Sequence, residues 1–236
     1  MPSTLDSHIF GLIPAAGRGS RMGGAAPKQY TPLAGRTMLE HAIDALLADA
    51  RVQRVLVVVA PDDVRHRELA GDARVEFVAA GGASRADSVR NGLARLAIRA
   101  SANDWVLVHD AARPCLARDE LGALIDALAG DPVGGLLAVP IADTIKRGAD
   151  DGRVAQTVER TGLWRALTPQ MFRLGVLDDA FERVGDLAAI TDESSAVERI
   201  GHAPRLVPGR ASNIKVTRPD DVPLAEAILG LQGRCR

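Results

Sequence analysis

Short apolar runs bounded by turn residues recur along the chain at Ile9 to Ala16, Arg54 to Ala60, Arg74 to Ala79, Trp105 to His109 and Gly135 to Pro140. Each has the length and near-continuous hydrophobicity of a strand buried on both faces. Between them the apolar period changes to three or four. Thr37-Met38-Leu39-Glu40 reads as a capping box, in which the hydroxyl and the carboxylate each satisfy a free backbone N–H, and predicts a helix to about Asp49. Further helices are predicted over Asp62 to Leu69, Ala86 to Ile98 (apolar at Val89, Leu93 and Leu96) and Glu120 to Ala129. Alternating strands and helices imply right-handed crossovers and a mostly parallel sheet covered on both faces, an α/β fold.

The pattern changes at Asp143. The stretch DTIKRGADDGRVAQTVER, Asp143 to Arg160, has two alternating halves around a Gly-Asp turn and reads as a β-hairpin arm with too few apolar residues to form its own core. Helices resume at Leu174 to Arg183, at Asp192 to Ile200 (stopped by Gly201) and at Pro219 to Leu231, the last behind Thr217-Arg218-Pro219-Asp220, a second capping box. Lys215 is predicted in a short strand between Ile214 and Val216, their side chains pointing opposite to its own. The expected organisation is one domain over 1–236 with the β-arm 141–162 as an appendage.

Composition narrows the function. With 29 basic and 30 acidic residues the net charge is -1, which lacks the broad positive footprint of a general nucleic-acid binder and makes any anion site local. The first ten residues, MPSTLDSHIF, have no signal-peptide pattern, and the longest apolar run, Val55 to Ala60, is too short for a bilayer. No membrane association and a cytoplasmic location are therefore expected. Cys115 and Cys235 make neither a disulfide framework nor a zinc site.

Candidate chemistry begins with IPAAGRGSRMGGAAPKQY, Ile13 to Tyr30. It matches neither G-x-x-x-x-G-K-[ST] nor G-x-G-x-x-G, because Met22 stands at the third glycine of the latter and Pro27 precedes Lys28. Yet Pro14-Ala15-Ala16 turning through Gly17 and Gly19 offers backbone N–H groups at the carboxyl edge of a sheet, and Arg21 and Lys28 add two cations suited to a polyphosphate. On local grounds a glycine turn with solvated cations fits as well. In VHDAARP, Val108 to Pro114, Asp110 follows a strand, where a carboxylate holds Mg²⁺ or caps a turn; His109 reads as structural. GGASRADSV, Gly81 to Val89, is a glycine turn entering a helix, with Ser84 or Asp87 as cap and Ser88 open to a ligand.

PAAGRGSRM, PKQY, GGASRADSV, VHDAARP, DTIKR, ERTGLW, LTPQMF, ITDESSAVE and GRASNIKVTRP together resemble the 2-C-methyl-D-erythritol 4-phosphate cytidylyltransferase family, in its order, from about Ile9 to the last helix. The resemblance implies a Rossmann-like nucleotidyltransferase fold and CMP transfer from CTP to 2-C-methyl-D-erythritol 4-phosphate, with release of pyrophosphate. It implies that Pro14, Ala15, Ala16, Gly17, Gly19, Arg21, Lys28, Gly81, Gly82, Ser88, Asp110 and Lys215 bind the nucleotide. It further implies catalytic roles for Arg21, Lys28, Arg160 and Lys215, and a magnesium ion on Asp110. Asp110, Arg113, Thr144, Arg160, Thr168 and Lys215 match the methylerythritol side, Thr144 and Arg160 from the arm of a homodimer partner. A cytidylyltransferase for another polyol phosphate, such as ribitol 5-phosphate, shares the nucleotide half. A silent nucleotide-sensing subunit would have no reason to combine Lys28, Asp110, Arg160 and Lys215.

Overall fold

The computed structural model describes residues 7–17, 27–69 and 71–235. In chain order its elements are β1 (Ile9–Pro14), β2 (Pro32–Leu33), β3 (Arg36–Thr37), α1 (Met38–Leu47), β4 (Val52–Val58), β5 (Val75–Val78), α2 (Arg85–Ala97), β6 (Trp105–Val108), α3 (Arg118–Leu128) and β7 (Gly134–Pro140). There follow β8 (Ile145–Gly148), β9 (Val154–Val158), β10 (Trp164–Arg173), α4 (Leu174–Arg183), α5 (Glu193–Arg199), β11 (Arg205–Pro208) and α6 (Asp221–Leu231). Seven strands form the main sheet in the order β11-β7-β10-β6-β1-β4-β5. Every neighbouring pair is parallel except those of β10, which runs antiparallel to both β6 and β7.

The two-residue period of the strands sorts side chains between two layers. Ile13, Val55, Val57 and Leu107 pack with Leu39 and Leu46 of α1 and Leu121 and Leu124 of α3. Leu12, Leu56, Val58, Val106 and Val108 pack on the other face with Val89 and Leu93 of α2, Leu177 and Phe181 of α4 and Val197 of α5. Leu93 is fully buried, so Leu93→Ala would cost about 2–5 kcal/mol and loosen the helix that carries Arg85. A third cluster joins Ala225 and Leu229 of α6 to Leu33, Met38, Ala112, Cys115 and Val216. It lies beneath the segments holding Asp110 and Lys215.

The predicted α/β sheet is present, and α1 starts at the expected capping box: Glu40 N donates to Thr37 Oγ1 at 3.2 Å and Thr37 N to Glu40 Oε2 at 2.8 Å. Other expectations are corrected. The helix expected over Asp62 to Leu69 is one 3-10 turn, Arg65–Glu68, with no buried residue; its apolar residues do not form a stripe, and Val64 is exposed. Lys215 lies in no strand. Its segment is tied to the neighbouring loop by Val216 N to Ala112 O, 2.8 Å, although the expected alternation of buried Val216 and exposed Lys215 is present. The helix expected from Pro219 begins at Asp221, whose carboxylate accepts from the N–H groups of Thr217 and Arg218 at 2.7 and 2.9 Å, in place of Asp220.

Among the described residues the hairpin β8–β9 pairs only with itself, Ile145 opposite Val158. Its strands are mostly exposed.

Candidate active site

The parallel strands β1 and β6 end side by side beneath a cavity of about 400 Å³. Pro14, Ala15, Ala16, Gly17, Lys28, Gln29, Gly82, Ala83, Ser84, Arg85, Ser88, Asp110, Ala111, Ala112 and Lys215 line it. Open α/β sheets bind ligands in such a crevice, beyond the carboxyl ends of their strands. Two glycines allow its walls to approach: a Cβ on Gly81 would lie 2.2 Å from the Ala16 Cβ, and one on Gly82 2.3 Å from the Asp87 Cβ. Gly81 therefore sits behind the wall that Gly82 lines. Buried Gln29 donates Nε2–H to the Ala15 carbonyl at 2.6 Å, fixing the first turn to the segment that carries Lys28. Ser88 accepts from Gly82 N at 3.1 Å and donates to Ser84 O at 3.0 Å. Ser84 and Asp87 form a capping box at the start of α2, which leaves the Arg85 side chain to face the cavity.

Asp110 is the electrostatic centre. Its side chain is 9% exposed; Oδ1 accepts from Arg85 Nε at 2.9 Å and Oδ2 faces Lys215 Nζ at 2.8 Å. Arg85 is fastened from behind by a bidentate contact to Glu193, Nη1–Oε1 2.6 Å and Nη2–Oε2 3.0 Å, and the Glu193 side chain is 0% exposed. Burial works to raise the Asp110 pKa, but the charges of Arg85, Lys215 and Arg113 outweigh it and hold the carboxyl well below its usual range. The Lys215 side chain is 41% exposed, so it can turn from Asp110 toward a ligand. Among the described residues no three His, Cys, Asp or Glu side chains cluster as metal ligands. A single carboxylate fits a magnesium ion that completes its shell with phosphate oxygens and water, and does not fit a resident protein-caged metal.

Behind Asp110, Thr168 Oγ1 accepts the Asp110 N–H at 3.0 Å and lies 3.0 Å from His109 Nδ1, while His109 Nε2 is 2.9 Å from the Arg113 carbonyl. Burial lowers the His109 pKa to about 4, so the ring is neutral. Arg113 is buried, with Nη1 on Asn213 O at 2.7 Å and Nε 4.0 Å from Asp110 Oδ2. Neither Arg113 nor Thr168 lines the cavity. Thr144 and Arg160 are exposed at the base of the hairpin, away from the cavity lining, and Arg160 Nη1 contacts the Ala142 carbonyl. Gly19 and Arg21 lie outside the described residues.

The family model described as "IspD: 2-C-methyl-D-erythritol 4-phosphate cytidylyltransferase" matches residues 9–231. The chain belongs to this cytidylyltransferase family. A 2-C-methyl-D-erythritol 4-phosphate cytidylyltransferase of Laribacter hongkongensis is 58% identical over 227 residues, covering 95% of this chain and 97% of its own length. That of Pseudomonas entomophila is 56% identical over 225 residues, 93% and 95% of the two chains. A crystal structure of 4-diphosphocytidyl-2C-methyl-D-erythritol synthase superposes with a TM-score of 0.84 at 40% identity, covering 95% of this chain and 99% of that one. The Francisella tularensis family member superposes at 0.82 with 33% identity over 94% of this chain and all of its own.

In this IspD-family chain the sequence reading missed Arg85 and Glu193. Arg85 stands between two residues read as helix caps, and Glu193 directly follows the cap Asp192 of α5. An arginine inside a glycine turn whose polar neighbours are already occupied by capping was the available signal; nothing local points to its partner. Gln170 fixes that partner's helix to the sheet, donating to Asp192 Oδ2 at 2.9 Å and accepting from Ser194 N at 2.8 Å.

Proposed function

We propose that the chain transfers CMP from CTP to 2-C-methyl-D-erythritol 4-phosphate, giving pyrophosphate and 4-diphosphocytidyl-2-C-methyl-D-erythritol. The observation that carries this reading is one cavity lined by Lys28, Lys215, Asp110 and the turn at 14–17. The attacking oxygen belongs to a phosphate monoester, mostly dianionic at neutral pH, so the step needs no general base. His109 is accordingly free to be a buried, neutral structural ring. The new P–O bond forms at the α-phosphorus as the bond to pyrophosphate breaks, and the obstacle is negative charge on both sides. Lys28 and Lys215 offset that charge at the transferred phosphate, with Arg21 on the leaving phosphates. Pro14 to Gly17, Gly19, Gly81, Gly82 and Ser88 cradle the nucleotide, the backbone of Ala15 and Ala16 meeting the cytosine edge. Asp110 would hold a magnesium ion together with the triphosphate, and that ion would supply charge neutralisation on the phosphate oxygens.

Arg113 and Thr168 stand on the methylerythritol side. The arm 141–162, an appendage of a single domain over 1–236, carries Thr144 and Arg160 into the site of a second copy. The exposed apolar side chains of Val154, Leu163 and Trp164, 64%, 40% and 36% exposed, support that contact. No helix among the described residues is long and apolar enough to cross a membrane. The substrates of the proposed reaction are soluble, and we assign its action to the cytoplasm. Phosphorus NMR of purified protein with CTP, Mg²⁺ and either methylerythritol phosphate or ribitol 5-phosphate tests the reading. Pyrophosphate and a new diphosphate diester should form with the first alcohol; their absence, or preferential turnover of the second, overturns it.

A further inference from the structure

We infer that His109 and Thr168 are a positioning pair that fixes the backbone of Asp110 and thereby the aim of its carboxylate. The inference rests on the reaction proposed above. The Arg113 carbonyl can only accept, so the hydrogen of the ring lies on His109 Nε2, 2.9 Å away. The Thr168 hydroxyl oxygen accepts the Asp110 N–H at 3.0 Å. Its own single proton is then directed to the lone pair of His109 Nδ1, also at 3.0 Å. At its other end Thr168 is held by Asn213, whose Nδ2 donates to the Thr168 carbonyl at 2.9 Å.

The direction of this chain is dictated by satisfaction. His109, Thr168, Asp110 and Asn213 are all buried, where a polar group left unpaired forfeits its hydration with nothing in return. With the hydrogen moved to Nδ1, the Nε2 lone pair would face a carbonyl oxygen and the hydroxyl proton would lose its acceptor. One tautomer therefore pairs both ring nitrogens, the Thr168 hydroxyl and the Asp110 N–H. What the pair holds is a residue whose two carboxylate oxygens are separately engaged, one by Arg85 and the other by Lys215. A shift of the Asp110 backbone misdirects both contacts at once, and a misplacement on the order of 1 Å costs about 10²-fold in rate.

Two measurements on the full-length protein test this. Long-range proton–nitrogen correlation on histidine-labelled wild type at neutral pH should show His109 with its hydrogen on Nε2 and Nδ1 as an acceptor. Thr168→Val, close in shape but without the hydroxyl, should lower kcat about 10–100-fold with smaller changes in the KM for CTP and for methylerythritol phosphate, and alter the Nδ1 resonance; a rise confined to the KM for methylerythritol phosphate would overturn the inference in favour of a substrate contact. Thr168→Ser should recover most of the rate and the wild-type spectrum. A merely structural Thr168 would affect stability and leave the kcat of folded protein unchanged, which overturns the inference, as does a wild-type Nδ1–H tautomer. The tautomer is read without any variant, so poor folding of Thr168→Val leaves the test intact. Wild type that releases no pyrophosphate would instead defeat the proposed reaction.

Discussion

The Asp110 side of the cavity and the β8–β9 hairpin are built on opposite terms. Around Asp110 the supporting groups are held from more than one direction: Arg85 by two carboxylates, Thr168 by Asn213, His109 and the Asp110 N–H. Among the described residues the hairpin pairs with itself alone, and its candidate residues Thr144 and Arg160 are exposed. The first region is organised by this chain before any ligand arrives, so binding costs it little ordering. The second has no such framework among the described residues, and the contact with a second copy proposed above would supply one.

That contrast can be broken most sharply by rate. Lys28→Ala and Lys215→Ala should each lower kcat by about 10²–10³, the usual cost of removing one preorganised charge-stabilising group; near-normal turnover would remove that lysine from the catalytic set. Glu193→Gln should destabilise the fold by about 3 kcal/mol in urea unfolding, the lower end for breaking a buried pair, since Arg85 keeps Asp110. An unchanged midpoint would mean that Glu193 does not anchor Arg85.

Acid provides a third probe. Burial lowers the pKa of His109 from 6.5 to about 4 and also lowers that of His41. The unfolded chain then binds protons first, so this stabilisation is complete above about pH 6.5 and is lost as pH falls toward 4, by about 3 kcal/mol at most for His109. Urea titrations at pH 7.5, 5.5 and 4.5 should show that decline; a flat profile would indicate rings charged or hydrated in the native state.

The hairpin should give the smallest folding effect. Arg160→Ala should change stability by less than about 0.5 kcal/mol, as exposed substitutions do, yet abolish turnover. Mixing it with Lys28→Ala subunits should return activity from hybrid dimers. Mixtures no more active than their parents would leave the hairpin outside a shared site.

Local rules carried the sequence reading a long way. The Thr37–Glu40 capping box, the β1 and β6 runs and the glycine turn at 81–82 each have a short-range cause, and all appear near their expected positions. The failures lie where pairing is distant. Pro169 sits inside β10, at the break in its register with β7 between Ala166 and Gln170, and a proline masks a strand pattern; β11 is too short to stand out. Arg85 and Glu193 are 108 residues apart, so no window contains both. Lys215 is held beside the site by α6 packing and one bond from Val216, not by the sheet, and the alternation that suggested a strand records only which side faces the core.

The placement of β10 has a further bearing on biogenesis. Because it fills the gap between β6 and β7, a chain still in synthesis has both strands but lacks the one that separates them. The flank of β6 stays open to mispairing until residue 173 has left the ribosome and can thread home. Substitutions that weaken β10 should therefore reduce the yield of soluble protein in cells more than they reduce the stability of molecules already folded.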